Sequence, residues 1–164
     1  MRLIIKNKMF SLRGSSKILD EEKKPKFLVK GKIFTLTKKK RICDLEGNVL
    51  YRVRNKYWHF WFDRYAYIDD AEGNRVAKVK LKFGVRKRFF IEGYQDEISI
   101  EGNFWGWNYS ILKNGEVIGS LARNINLMVD SFTLNIDSEE DAAFLVAVVI
   151  AVDNIFDKQV NDND

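Results

Sequence analysis

His59 and Cys43 are the only histidine and the only cysteine in this 164-residue sequence, and they are its first candidates for nucleophilic chemistry. A base–nucleophile pair is the most they allow, because a Cys/His zinc centre needs several ligands of these types. His59 sits within Tyr57-Trp58-His59-Phe60-Trp61-Phe62, and the plainer reading is a strand histidine and a cysteine in a sheet wall. No Gly-x-Ser-x-Gly elbow, phosphate-binding loop or dinucleotide fingerprint is present. Carboxylates recur at Asp20, Asp44 and Asp70, each at a hairpin position. Turn chemistry calls for such a period, and acid–base pairing does not. The sequence therefore points away from an enzyme: no catalytic residue, metal site or cofactor is expected.

Binding chemistry is better represented. The net charge is +5, which suits anionic partners without requiring them. Lys38-Lys39-Lys40-Arg41 reads as a turn and the start of a strand, Lys78, Lys80 and Lys82 share one strand face, and Arg86-Lys87-Arg88 follows them. Lys78, Lys80, Lys82, Arg86, Lys87 and Arg88 are the candidate residues for an anionic ligand, an anionic membrane surface or a phosphoinositide-like headgroup. Each basic group close to such a membrane contributes ~1 kcal/mol. The competing reading is a solvated lysine face that protects a sheet edge. Aromatic residues form a second group. In Tyr57–Phe62, Trp58, Phe60 and Phe62 take one strand face and Tyr57 and Trp61 the other, and Phe104-Trp105-Gly106-Trp107 is similarly rich. Both faces cannot be core, so one set is exposed or covered by a protein partner or a second copy of the chain. Charge and aromatics also permit nucleic-acid binding, but no recognised motif supports it.

The elements that must carry these residues are mostly strands. Phe10 to Phe34, Ile18 to Ile42, Asp20 to Asp44 and Val29 to Val53 are all 24 residues apart, and the next step, as in Asp44 to Asp70 and Val53 to Val79, is 26. Asp44-Leu45-Glu46-Gly47-Asn48 and Asp70-Ala71-Glu72-Gly73-Asn74 are nearly identical turns. Asp bonds its own backbone in a turn, and Gly supplies positive φ. Lys113-Asn114-Gly115-Glu116 is a further hairpin signal. Strict alternation in Ala77-Lys78-Val79-Lys80-Leu81-Lys82-Phe83 marks a half-buried strand. The pattern predicts strands at 2–8, 16–20, 26–30, 33–37, 40–44, 49–54, 57–62, 65–69, 75–83, 87–92, 96–101, 104–112, 117–122 and 131–136. Consecutive hairpins suggest an antiparallel meander, which removes its edges by closing.

Ala142 to Val152 is an unbroken apolar run of eleven residues. Val146, Val148, Val149, Ile150 and Val152 are β-branched, so a buried strand competes with a helix. Length, Ser138 as an N-cap and the acidic residues Asp137, Glu139, Glu140 and Asp141 favour a helix over about 138–158, buried on every side. Gln159 to Asp164 is expected to be a disordered tail.

The hairpins with Asp-x-x-Gly turns, the strand Phe132-Thr133-Leu134-Asn135-Ile136, the acidic cap and the apolar helix ending in Ala151-Val152-Asp153 together resemble the LURP-one-related family. That family shares the tubby C-terminal-like fold with tubby proteins and phospholipid scramblases. The resemblance spans about residues 1–158, as a single domain. It implies a mainly β fold: a closed antiparallel barrel of about twelve strands around a buried hydrophobic C-terminal helix. It also implies a binding module of uncharacterised role, since tubby proteins bind phosphoinositide headgroups through basic residues on the barrel. A scaffold or regulatory role through protein contacts or self-association is the alternative. The scramblase cysteine-rich stretch is missing.

One cysteine excludes an internal disulfide and fits a reducing compartment. The apolar run in Met1-Arg2-Leu3-Ile4-Ile5-Lys6 is too short for a signal peptide, and no segment nears the ~18 apolar residues of a spanning helix. The expectation is a cytoplasmic protein, peripheral to a membrane if it meets one, with no transmembrane segment.

Overall fold

The computed structural model describes residues 1–6, 15–31, 39–55, 65–82, 87–102, 108–125, 130–139 and 141–161. Twelve strands run in chain order: β1 (Arg2–Lys6), β2 (Ser15–Asp20), β3 (Pro25–Gly31), β4 (Lys40–Cys43), β5 (Val49–Asn55), β6 (Tyr65–Asp69), β7 (Arg75–Lys82), β8 (Lys87–Glu92), β9 (Ile98–Gly102), β10 (Asn108–Lys113), β11 (Glu116–Ile125) and β12 (Asp130–Ile136), followed by α1 (Ala142–Asn161). Each strand pairs antiparallel with the next, and β1 pairs with β12, so the sheet is a closed barrel. Closure satisfies the edge groups that an open meander would leave bare. The strands expected at 33–37 and 57–62 lie outside the described residues.

Tight connections gather at one end, and their chemistry is local. Gly47 and Asn48 donate their backbone N–H groups to Asp44 Oδ1 at 2.8 Å each, and Gly73 and Asn74 do the same to Asp70 Oδ1. Gly47 and Gly73 hold φ of 97° and 99°, the left-handed region that turn glycines make cheap. Asn114 and Gly115 are both at positive φ, as a two-residue hairpin of twisted strands requires.

Inward residues alternate with outward ones along the strands and meet α1 at the centre. Phe144 to Ile155 are buried on all sides, including Asp153 and Asn154. The run is therefore a helix, because in a closed barrel every backbone group inside must bond within its own segment. It packs most closely on β5 and β6. The helix begins at Ala142 rather than near Ser138. Asp141 takes the cap position, its carbonyl accepting from Leu145 N at 2.9 Å. The acidic residues thus precede the first turn instead of occupying it. Lys113 fixes this start by bridging Asp141 (2.9 Å) and Asp96 (3.1 Å), and Tyr94 stacks on Phe144 at 3.7 Å between ring centroids. At the other end, α1 continues through Gln159 to Asn161, further than the expected tail allowed. No helix among the described residues is long and apolar enough to cross a membrane.

Candidate functional site

With α1 filling the barrel, the outer wall is where polar side chains gather. Strand register decides which of them are neighbours. On β7, Ala77, Val79 and Leu81 point inward, and Lys78, Lys80 and Lys82 point outward, as alternation predicts. These lysines are already engaged. Lys80 Nζ lies 2.9 Å from Glu92 Oε2 and 3.0 Å from Oε1. Lys78 sits over the Tyr65 ring at 4.0 Å and Lys82 over Phe90 at 4.6 Å. On β8, Arg88 Nε approaches Glu101 Oε1 at 3.6 Å. The Lys80 hydrogen bond, aided by the charges of Lys78 and Lys82, holds the Glu92 carboxyl below its usual range. Arg86 and the side chain of Lys87 lie outside the described residues.

A different arrangement occupies the wall from β3 to β5. Lys30 on β3 stands opposite Arg41 on β4, and Arg41 stands opposite Arg52 on β5. Three cations therefore sit side by side on adjacent strands, where like charges directly opposite destabilise a sheet. The row ends at Asp69 on β6, opposite Arg52, and then Arg75 on β7. Beside this row is an open groove of ≈ 320 Å³ lined by Lys39, Lys40, Arg41, Arg52, Val53, Arg54, Asp69 and Gly73. Its carboxylate is already bound: Arg54 Nε is 2.7 Å from Asp69 Oδ2, with Nη2 3.4 Å from Oδ1, and Arg75 Nε is 3.6 Å away. The Arg54 approach is close but poorly aligned, so it is an ion pair rather than a fork of two straight hydrogen bonds. Arg52 donates instead to the carbonyl of Asp70 at 3.1 Å. Arg75 also covers the Tyr67 ring at 3.5 Å.

The structure sets the basic clusters of the sequence on separate parts of the wall. Lys39, Lys40 and Arg41 line the groove, whereas Lys78, Lys80, Lys82 and Arg88 lie across β6, whose outward residues Tyr65, Tyr67 and Asp69 carry no cation. Lys30, Arg52 and Arg54 were missed. A signal for them existed in the repeat: Val29-Lys30, Val53-Arg54 and Val79-Lys80 are equivalent positions, and so are Arg52-Val53 and Lys78-Val79. Each puts a basic residue on the outer side of a repeated apolar anchor.

Cys43 is fully buried in the wall. His59 and the aromatic stretches Tyr57–Phe62 and Phe104–Trp107 lie outside the described residues. Among the described residues, no three His, Cys, Asp or Glu side chains come together as a metal site would need. The large hydrophobics exposed among them, Leu45 and Val117, are of the isolated kind that needs no partner.

A family model described as LURP-one-related matches residues 1–153. No curated protein and no solved structure matches the chain.

Proposed function

This chain belongs to the LURP-one-related family, and we propose that it is a non-enzymatic binding module that takes anionic lipid headgroups on its outer wall. The observation that carries this reading is the Lys30–Arg41–Arg52 row. A sheet gains nothing by aligning three cations, and an anion laid across them turns their repulsion into attraction. Arginine's planar fork suits phosphate oxygens, so phosphate-bearing headgroups, phosphoinositides among them, are the ligand class. The groove's lining carboxylate, Asp69, is paired with Arg54 and Arg75 rather than with the row. The interior offers no rival site along Phe144–Val152, which is apolar and buried. On this reading the protein is cytoplasmic and peripheral to the membrane, and its function is recognition, not chemistry.

Flotation with phosphatidylcholine vesicles, with and without phosphatidylglycerol or a phosphatidylinositol phosphate, tests it. The protein should float only with the anionic vesicles and detach as salt rises. Equal behaviour with neutral and anionic vesicles at low salt contradicts the reading.

A further inference from the structure

We propose that Asp153 of the central helix holds Lys40 back from the groove, so that helix seating and headgroup binding compete for one ammonium. The proposal rests on the groove being an anion site. Lys40 is the first residue of β4 and lines the groove, yet it pairs opposite inward-facing Val53 and turns its ammonium inside. There Nζ lies 3.7 Å from Asp153 Oδ2, with the two side chains 12 % and 5 % exposed. That separation exceeds the ~2.8 Å of a tight charge-assisted hydrogen bond, and a lysine's long stem lets its head change partners.

The helix end that Asp153 belongs to is seated on poorly matched polar contacts. After eleven apolar residues, Asp153 and Asn154 remain buried. Asn55 on β5 donates to the Asn154 carbonyl at a long 3.4 Å. Asn55 Oδ1 and both side-chain heteroatoms of Asn154 have no hydrogen-bond partner among the described residues. Buried groups left this way cost stability, so this end of α1 is held less firmly than its apolar length.

The same two strands serve both sites. On β4, Lys40 faces α1 and Arg41 faces the groove. On β5, Arg54 faces the groove and Asn55 faces α1. A headgroup lying on Arg41 and Arg52 offers Lys40 a second anion just outside the wall. By linkage, the factor by which the Lys40–Asp153 pair lowers the groove's affinity is the factor by which a bound headgroup weakens the pair.

The test uses the full chain and phosphatidylcholine vesicles carrying phosphatidylglycerol. Asp153→Asn should bind about fivefold tighter, the value of one added basic group at an anionic surface. Lys40→Gln should bind more weakly than the unsubstituted chain, and the double variant should match Lys40→Gln. If the gain from Asp153→Asn persists without Lys40, or never appears, the proposal is overturned. Because Asp153→Asn alters a buried site, amide exchange of the unsubstituted chain gives an independent reading. Exchange in the last turns of α1 should speed up on anionic vesicles and not on neutral ones, and unchanged or slower exchange overturns the proposal. An unsubstituted chain that ignores anionic vesicles removes the anion-site reading and the proposal together. One that binds while both variant tests fail removes the proposal alone.

Discussion

Two basic faces of one barrel differ in what surrounds their charges. On β7 and β8, Lys80 and Arg88 face Glu92 and Glu101, and Lys78 and Lys82 lie on aromatic rings. On β3 to β5, Lys30, Arg41 and Arg52 stand opposite one another in register. The first face is built as a stable sheet surface, with each of these four cations given a local partner. The second keeps positive charge in excess at some cost in stability, as binding sites do when an external ligand completes them. A count of lysines and arginines ranks these faces alike, whereas their pairing separates them.

The comparison breaks most easily by reversing charge on the β3–β5 face. Arg41→Glu with Arg52→Glu should lower affinity for phosphatidylglycerol vesicles by about a hundredfold or more, at ~1 kcal/mol for each basic group removed and a repulsion added for each. Flotation across a lipid titration measures it. A decrease below tenfold would mean that the row is not the binding surface.

Asp69→Asn should act on stability and binding in opposite directions. It removes the carboxylate that holds Arg54 and Arg75, and urea unfolding should show a decrease of about 1–2 kcal/mol, limited because both arginines are partly exposed. Vesicle affinity should rise, because the groove is then without its lining carboxylate. Lower affinity would show that Asp69 positions the arginines for the ligand.

Neutral substitutions sharpen the contrast further. Arg41→Gln relieves two like-charge neighbours and should stabilise the barrel by about 0.5 kcal/mol in the absence of lipid. Lys80→Gln removes a solvent-screened pair and should destabilise by less than about 0.5 kcal/mol. Opposite signs in paired thermal melts support the distinction, and a common sign erases it.

The smallest effect is a pH dependence. Because Lys80 holds the Glu92 carboxyl below its ordinary value of 4.5, its contribution is present above that value and is lost as pH falls through the lowered one. The β7–β8 face then gains net positive charge only in acid. A chain with the β3–β5 row neutralised should bind phosphatidylglycerol vesicles weakly near neutrality and recover slightly below pH 4.5. No recovery would mean that Glu92 does not shield this face.

The parts legible in the sequence are those decided locally. The Asp44 and Asp70 turns close on their own side chains, and β7's alternation shows which lysines point outward. The apolar run from Ala142 announces a buried helix despite its valines. Its start was misplaced because Asp141 is fixed by Lys113, a partner that no local pattern reveals. The same holds for the site. Lys30, Arg41 and Arg52 lie on three strands, and only the pairing register makes them neighbours. Glu92's role is equally remote from Lys80 in sequence. Fold follows from short-range chemistry here, and the balance of charge on each face follows from register.

The most direct test compares two triple variants with equal charge removed, Lys30→Gln/Arg41→Gln/Arg52→Gln and Lys78→Gln/Lys80→Gln/Lys82→Gln, on the same phosphatidylglycerol vesicles at low salt. Loss of binding in the first and near-retention in the second is the predicted result. Equal losses, or a greater loss in the second, would contradict the assignment of binding to the β3–β5 row.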